Sequence, residues 1–326
     1  MNIFHCCVQK TASQWFRRIF HDSRILELSG LQPYNFYQEL EKEDPRLSSS
    51  YVFTEQFPSN TIITPLYISF ESFCTIPKNE DYRAFFVMRD PRDLIVSWYF
   101  STRYSHPSIG KIQEHRDKLN QVSIKEGLML SIDFLLDRGY FLTLESWINA
   151  AAVDPNVRLV KYEDITSSDN FGAMEDLFRH CMIHARTDVL QAVLDDVRFE
   201  KLAERKQGIE DQFSHYRKGI EGDWVNYFDD EVESKFNEEL GDLTAALGYR
   251  TTKVDLLKKQ LAQTQLYLQK ALLDIQELQQ QCLKNGLERP RQFEQANEVL
   301  ELTEMSMFWR FRSQWTRLKK HLSLLR

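Results

Sequence analysis

Ala84-Phe85-Phe86-Val87-Met88-Arg89-Asp90-Pro91-Arg92-Asp93 is the stretch on which the fold turns. The apolar run reads as a short strand. Immediately after it, Asp90 is suited to cap a helix and Pro91 to fill its first position, where a missing N–H costs nothing, so a helix is expected through Phe100. Towards the N-terminus the same unit recurs. Asn2-Ile3-Phe4-His5-Cys6-Cys7-Val8 is β-prone and apolar, and after a polar turn Trp15 to Phe20 returns to helical spacing. Towards the C-terminus, Val157-Arg158-Leu159-Val160 reads as a third strand, followed by Tyr162-Glu163-Asp164 and a helical stretch. Helices are expected at 120–138 and 140–152. Strands that alternate with helices predict an α/β core with a parallel sheet. Ligands in such sheets sit at the carboxyl ends of the strands, where all three polar turns fall.

The chain has 326 residues, enough for one large domain and an appendage. Its formal net charge of -7 gives no global basic field, which argues against a nucleic-acid polymer as partner. Cys6, Cys7, Cys74, Cys181 and Cys282 are scattered without a C-x-x-C pair, so neither a disulfide framework nor a metal site is expected, and they read as small buried hydrophobes. With no apolar run near 18 residues and no signal-type start, the expectation is a soluble cytoplasmic protein.

After Gly248 the composition shifts to Leu, Gln, Lys and Glu. Val254, Leu257, Leu261, Leu268, Ala271, Ile275, Leu278 and Cys282 keep an a/d phase with Thr264 as its weak position. That phase predicts a coiled coil over 251–285 and a homo-oligomer, with a long helix packed on its own domain as the alternative. From Gly286 to Pro290 the helix is expected to break. The tail, 286–326, interleaves aromatic and basic residues between Phe308 and Lys320, which suits an anionic inner-membrane surface, a partner helix or the chain's own dimer. The division expected is therefore 1–250, 251–285 and 286–326.

Two loops carry the chemistry. In Gln9-Lys10-Thr11-Ala12-Ser13-Gln14-Trp15 small residues let backbone N–H groups face an anion, the following helix adds its dipole, and Lys10 adds a full charge. The G-x-x-x-x-G-K-[ST] pattern of an ordinary ATP-binding phosphate loop is absent, which disfavours a kinase. In the stretch from Arg89 to Tyr99, Arg89 stands at a strand end and Ser97 two helical turns on, so a guanidinium and a hydroxyl can converge on one phosphate.

These two loops resemble, in order and location, the phosphosulfate loop and the 3′-phosphate signature of sulfotransferases that use 3′-phosphoadenosine 5′-phosphosulfate (PAPS). A third match is Arg217-Lys218-Gly219-Ile220-Glu221-Gly222-Asp223-Trp224, which resembles the family's late R-K-G-x-x-G-D-W segment, and Tyr162-Glu163-Asp164 resembles its Y-E-D turn. The resemblance spans residues 3 to about 228. It implies a P-loop-NTPase-like three-layer core, here followed by an all-α coiled-coil extension. It also implies sulfuryl transfer from PAPS to an acceptor hydroxyl or amine, with 3′-phosphoadenosine 5′-phosphate (PAP) as product and no metal; a glycan or small alcohol is the acceptor class considered. Lys10 would stabilise the leaving phosphate. Thr11, Ala12, Ser13, Gln14 and Trp15 would form the phosphosulfate loop. Arg89, Ser97, Arg217, Lys218 and Gly219 would hold the 3′-phosphate, Trp224 would anchor the late loop, and Tyr162 would lie near the nucleotide.

Departures from the family pattern matter. Ala12 replaces the usual Gly, so the loop must either avoid a conformation reserved for glycine or accept strain. Gln14 replaces a Thr, and Val225 replaces a common Lys. The histidine base expected in a T-H-L-P segment is missing from Thr64-Pro65-Leu66-Tyr67. Glu71 is the candidate base in its place, with Glu55 and His106 behind it. The insert from Arg103 to Leu119, with Lys111, His115, Arg116 and Lys118, reads as a mobile basic loop, either covering an anionic or polyhydroxyl acceptor such as a glycan or simply solvated. The missing histidine keeps open a second reading, a catalytically inactive protein that binds PAP or PAPS and assembles through its coiled coil.

Overall fold

The computed structural model describes residues 1–38, 40–41, 44–107, 111–167, 169–249 and 252–284. In chain order the elements run β1 (Asn2–Cys7), α1 (Ser13–Phe20), α2 (Ser23–Ser29), β2 (Gln32–Tyr34), β3 (Thr61–Leu66), α3 (Phe70–Thr75), β4 (Tyr82–Met88), α4 (Pro91–Phe100), α5 (Lys111–Leu119) and α6 (Ile124–Asp137). They continue with α7 (Tyr140–Ser146), α8 (Ala150–Val153), β5 (Val157–Lys161), α9 (Tyr162–Thr166), α10 (Phe171–His180), α11 (Thr187–Asp196), α12 (Phe199–Ala203), α13 (Asp230–Ala246) and α14 (Lys253–Lys284). The chain divides into two units, Met1–Tyr249 and Arg250–Arg326.

The first unit is built on one parallel sheet in the order β2-β3-β1-β4-β5. Alternation along the strands feeds two cores. Ile3, Cys7, Phe85 and Val87 pack with Phe16, Ile19 and Phe20 of α1 and with Met174, Leu177 and Phe178 of α10. Phe4 and Phe86 point to the other face, where Phe4 meets Phe73 of α3 at 5.7 Å and Phe86 stacks on Trp147 at 4.7 Å. Burial on both faces explains why β1 and β4 are continuously apolar, and the helices on each side complete three layers.

β1, β4 and β5 are the strands read from the sequence; β2 and β3 were hidden by Pro33 and Pro65. Proline cannot donate to a ladder, and it is tolerated here for two reasons. β2 is a three-residue edge strand, and the pairing of β1 with β3 slips between Phe4 and Cys6, opposite Ile63 and Leu66, the span that contains Pro65. The helix expected at 120–138 begins only at Ile124, because Ser123 and Glu126 form a reciprocal capping box. The helix expected at 140–152 divides into α7 and α8.

The insert after α4 is a correction. It holds a π-helical turn, Ser101–Ser105, and then α5. His115 is buried and stacks on Phe134 at 4.3 Å, while Arg116 Nε donates to the Thr102 carbonyl at 2.6 Å. Two of its four basic residues thus hold α5 against the domain instead of waiting for an acceptor. Cys6, Cys7 and Cys181 are buried as expected, whereas Cys74 is exposed.

In the second unit, α14 is one uninterrupted helix across most of the heptad stretch. The tail, and with it the expected membrane or partner contact, lies outside the described residues. Among the described residues no helix is long and apolar enough to cross a membrane.

Candidate active site

The carboxyl edge of the sheet opens on a cavity of about 480 Å³. β1 delivers the first wall. The loop after it is held by Thr11, whose hydroxyl donates to the Val8 carbonyl at 2.7 Å, and it turns through left-handed backbone at Lys10, φ 72°, and Ala12, φ 63°. Ala12 therefore accepts the glycine-like conformation that its replacement of glycine put in question, at a cost of about 1 kcal/mol. In return α1 starts at Ser13 directly beneath the cavity.

β4 delivers the second wall. Arg89 follows the strand end, donates Nη1–H to the Lys10 carbonyl at 2.8 Å and lies 4.2 Å over the Tyr162 ring. Its Nε is buried without a partner among the described residues. As the sequence predicts, Asp90 caps α4 and Pro91 follows at its start, which sets Ser97 on the cavity lining two turns later.

The third wall is the 217–224 loop, and a buried carboxylate pins it. Asp93, in the first turn of α4, accepts from the backbone N–H of Gly222 at 2.6 Å and of Trp224 at 2.9 Å. Arg92, paired with Asp90 at 2.6 Å, stacks 4.1 Å over the Trp224 ring. The loop is thereby fixed to the helix that carries Ser97. Arg217 ion-pairs with Glu210 and Asp223, each at 2.6 Å, and Lys218 with Asp223 at 2.6 Å. These pairs neutralise much of the charge of both cations. Lys10 and Arg89 form no salt bridge among the described residues, although the buried Asp93 and Glu163 lie close enough to Arg89 to feel its charge. Burial, with Arg89 and Arg217 adding, pulls the Lys10 ammonium down to about 7. The site is electrostatically poised for an anion.

Residues 4–248 match the model of the sulfotransferase domain family. The chain belongs to that family. Compared by sequence with curated proteins it matches none. Among solved structures it is similar to mouse sulfotransferase SULT7A1 complexed with PAP, at TM-score 0.51 and 16% identity over 77% of this chain and 89% of that one. Retinol dehydratase, solved with androsterone and inactive cofactor PAP, aligns at TM-score 0.47 and 16% identity over 74% of this chain and 80% of that one.

In this sulfotransferase the structure brings Lys10, Ala12, Ser13, Gln14, Trp15, Arg89, Ser97, Tyr162, Arg217, Lys218 and Gly219 onto one cavity. Thr11 is fully buried beneath it and braces the loop. Glu71 is not brought in. It lies exposed in the first turn of α3, capped by Ser69, and Glu55 is exposed as well; neither lines the cavity. His106 does line it. Its Nδ1 is 3.0 Å from the Pro107 carbonyl, and since a carbonyl only accepts, Nδ1 carries the hydrogen and Nε2 keeps its lone pair. Burial and the nearby Lys10 lower the His106 pKa, so the ring is neutral at pH 7.

Several lining residues carried no motif, among them Tyr67, Val197 and His215. Tyr67 donates to Ser13 Oγ at 3.1 Å from just beyond β3. Val197 accepts from Trp15 Nε1 at 2.9 Å and so fixes the indole. His215 sits two residues before Arg217, a place where only proximity to the Arg-Lys-Gly segment could have flagged it. Gly219 has a positive φ of 68°, and a Cβ there would lie 2.3 Å from Cδ2 of Phe199. Gly219→Ala is expected to cost roughly 2 kcal/mol or more in stability, through strain and overpacking, and to loosen the Lys218 wall. Chemical denaturation reads the first effect and PAP titration the second.

Proposed function

We propose that the chain transfers the sulfuryl group of PAPS to an acceptor hydroxyl or amine. The observation that carries this reading is the convergence, on one cavity, of unpaired Lys10 and Arg89 with Ser13 and Ser97. These residues fit the donor. The buried, unpartnered Arg89 Nε and the Ser97 hydroxyl are suited to its 3′-phosphate. Lys10 and Ser13 on the neighbouring loop are suited to its phosphosulfate. PAPS supplies the sulfuryl group when bound. In the transfer a bond from the acceptor oxygen or nitrogen to sulfur forms while the bond from sulfur to the phosphate oxygen breaks, and the acceptor loses a proton. Lys10 is assigned to the charge that builds on the departing phosphate oxygen, because its ammonium is the nearest uncompensated cation on the loop. His106 is assigned as the base in place of Glu71, because it lines the same cavity as Lys10 while its Nδ1–H is engaged by the Pro107 carbonyl.

Isothermal titration with PAP, AMP and ATP tests the donor. Tight PAP binding that AMP does not share, weakened about thirtyfold or more in Arg89→Ala, is the expected result. A lack of preference for PAP would overturn the assignment and favour a protein that assembles without this chemistry.

A pH dependence follows. Free Lys10 titrates near 7, and an anion beside it raises that pKa. PAP affinity is therefore highest near pH 7 and falls as pH rises above it, by at most the roughly tenfold that the charged Lys10 side chain contributes. The PAP phosphates, whose second ionisation lies near 6, are already dianionic there and do not mask the trend. A flat profile between pH 7 and 8.5 would contradict it.

For the rest of the chain, the proposal is that α14 pairs with a second copy through its heptad face in the cytoplasm, and that the tail lies on the inner membrane surface. Both readings rest on sequence pattern.

A further inference from the structure

Beside the donor cavity lies a second, open groove of about 510 Å³, lined by Gln14, Arg17, Arg18, His21, His215 and Tyr216. Gln14, His215 and Tyr216 line both spaces, so the two are contiguous. No acidic side chain lines the groove, in a chain whose formal net charge is -7. Neither Arg17 nor Arg18 forms a salt bridge or a side-chain hydrogen bond among the described residues, and His21 Nε2 is buried without a partner there.

Cations at the end of α1 are favoured by the helix dipole, which accounts for one arginine being tolerated in its last turn. It does not account for a histidine from a different segment facing them, nor for the absence of any carboxylate. The charges also act across the groove. His21 is lowered by burial and then by Arg17, and His215 by burial, then Lys10, His106 and Arg18. The donor cavity has cations of its own, Lys10 and Arg89, with Arg217 and Lys218 held by Glu210 and Asp223. Arg17, Arg18 and His21 line the groove and not that cavity.

We propose that this groove is the subsite for an oxyanion carried by the acceptor itself, a carboxylate, phosphate ester or sulfate ester, held by Arg17, Arg18, His21 and His215. The inference rests on the donor reading above, because it takes the adjoining cavity to be the PAPS site. An acceptor anchored there would reach past Gln14 and Tyr216 towards His106 and Lys10. The preference is electrostatic: guanidinium groups at the groove attract an anionic acceptor and gain nothing from a neutral one.

The test uses the full chain saturated with PAP, so that the donor cavity is filled, and inorganic phosphate as the probe. Imidazole resonances of His21 and His215 are followed by two-dimensional NMR, with sodium chloride at matched ionic strength as control. The expected result is a saturable shift of both rings with a millimolar midpoint. In the Arg17→Ala, Arg18→Ala double variant that midpoint should weaken at least tenfold, and in the double lysine variant it should largely return. PAP affinity of the alanine variant should stay within about threefold of the parent, which shows that it folds, since neither Arg17 nor Arg18 lines the donor cavity. No saturable shift, or one that the alanine variant retains, overturns the proposal. Failure of PAP to bind the parent chain would instead overturn the donor reading, and that titration is made first.

Discussion

Lys10→Ala is expected to lower the turnover of PAPS about a thousandfold while weakening PAP binding no more than about tenfold. The asymmetry follows from when the charge is needed. In the ground state the donor's negative charge is shared among Arg89, Arg217, Lys218 and backbone donors. During transfer, charge moves onto a single departing oxygen, and removing a preorganised partner for such charge costs roughly 10²–10³ in rate or more. The backbone part of the loop survives the substitution, because the Arg89 contact goes to the Lys10 carbonyl and not to its side chain. Single-turnover kinetics with labelled PAPS read kcat, and titration with PAP reads affinity. Equal losses in both would mean that Lys10 contributes uniform binding and not transition-state stabilisation.

His106→Ala is expected to reduce kcat by ~10²–10³, with PAP affinity unchanged, whereas Glu71→Gln and Glu55→Gln should stay within about twofold of the parent. The difference is one of position. His106 lines the cavity with Nε2 unprotonated, while both carboxylates are exposed away from it. A second readout is the acid limb of the rate profile. The His106 pKa is held below its ordinary 6.5, chiefly by burial, so kcat/KM should fall as pH drops below that value and the fall should vanish in His106→Ala. A variant that keeps more than half of the parent activity, or a loss above tenfold in Glu71→Gln, would move the base elsewhere.

Much of the donor site was legible because its parts are local. A strand, its turn and the start of its helix are contiguous in sequence, so Lys10 with Ser13, and Arg89 with Asp90, Pro91 and Ser97, could be placed from spacing alone. The Asp90 cap, the Pro91 start and the exit of Arg89 from β4 all stand as read. The third segment was recognisable only through its Arg-Lys-Gly-x-x-Gly-Asp-Trp pattern. Why it joins the other two was not, since the tie is Asp93, separated from Gly222 and Trp224 by more than a hundred residues and carrying no sign that its carboxylate would be buried beneath two backbone N–H groups.

The misreadings share a cause. Glu71 follows the segment in which many members of the family carry a histidine, yet Ser69 caps α3 there and the first turn of that helix leaves Glu71 in solvent. His115 and Arg116 looked like a free basic loop because charge and polarity do not distinguish a solvated residue from one stacked on Phe134 or donating to the Thr102 carbonyl. β2 and β3 contain Pro33 and Pro65, residues that local spacing does not favour in a strand and that an edge position and a slipped register accommodate.

The amino-acid sequence by itself determined the parallel α/β core, because periodicity, capping and turn chemistry act over a few residues and leave their mark in order, while the resemblance of three segments to the sulfotransferases marked the candidate donor loops and their cations. The tertiary structure decided which charges are compensated and which stay free, that Ala12 takes a glycine's conformation, that His106 and His215 reach the cavity, and that Arg17, Arg18 and His21 make a groove beside it. Those outcomes depend on burial and on partners far away in the chain, and neither is written in local spacing.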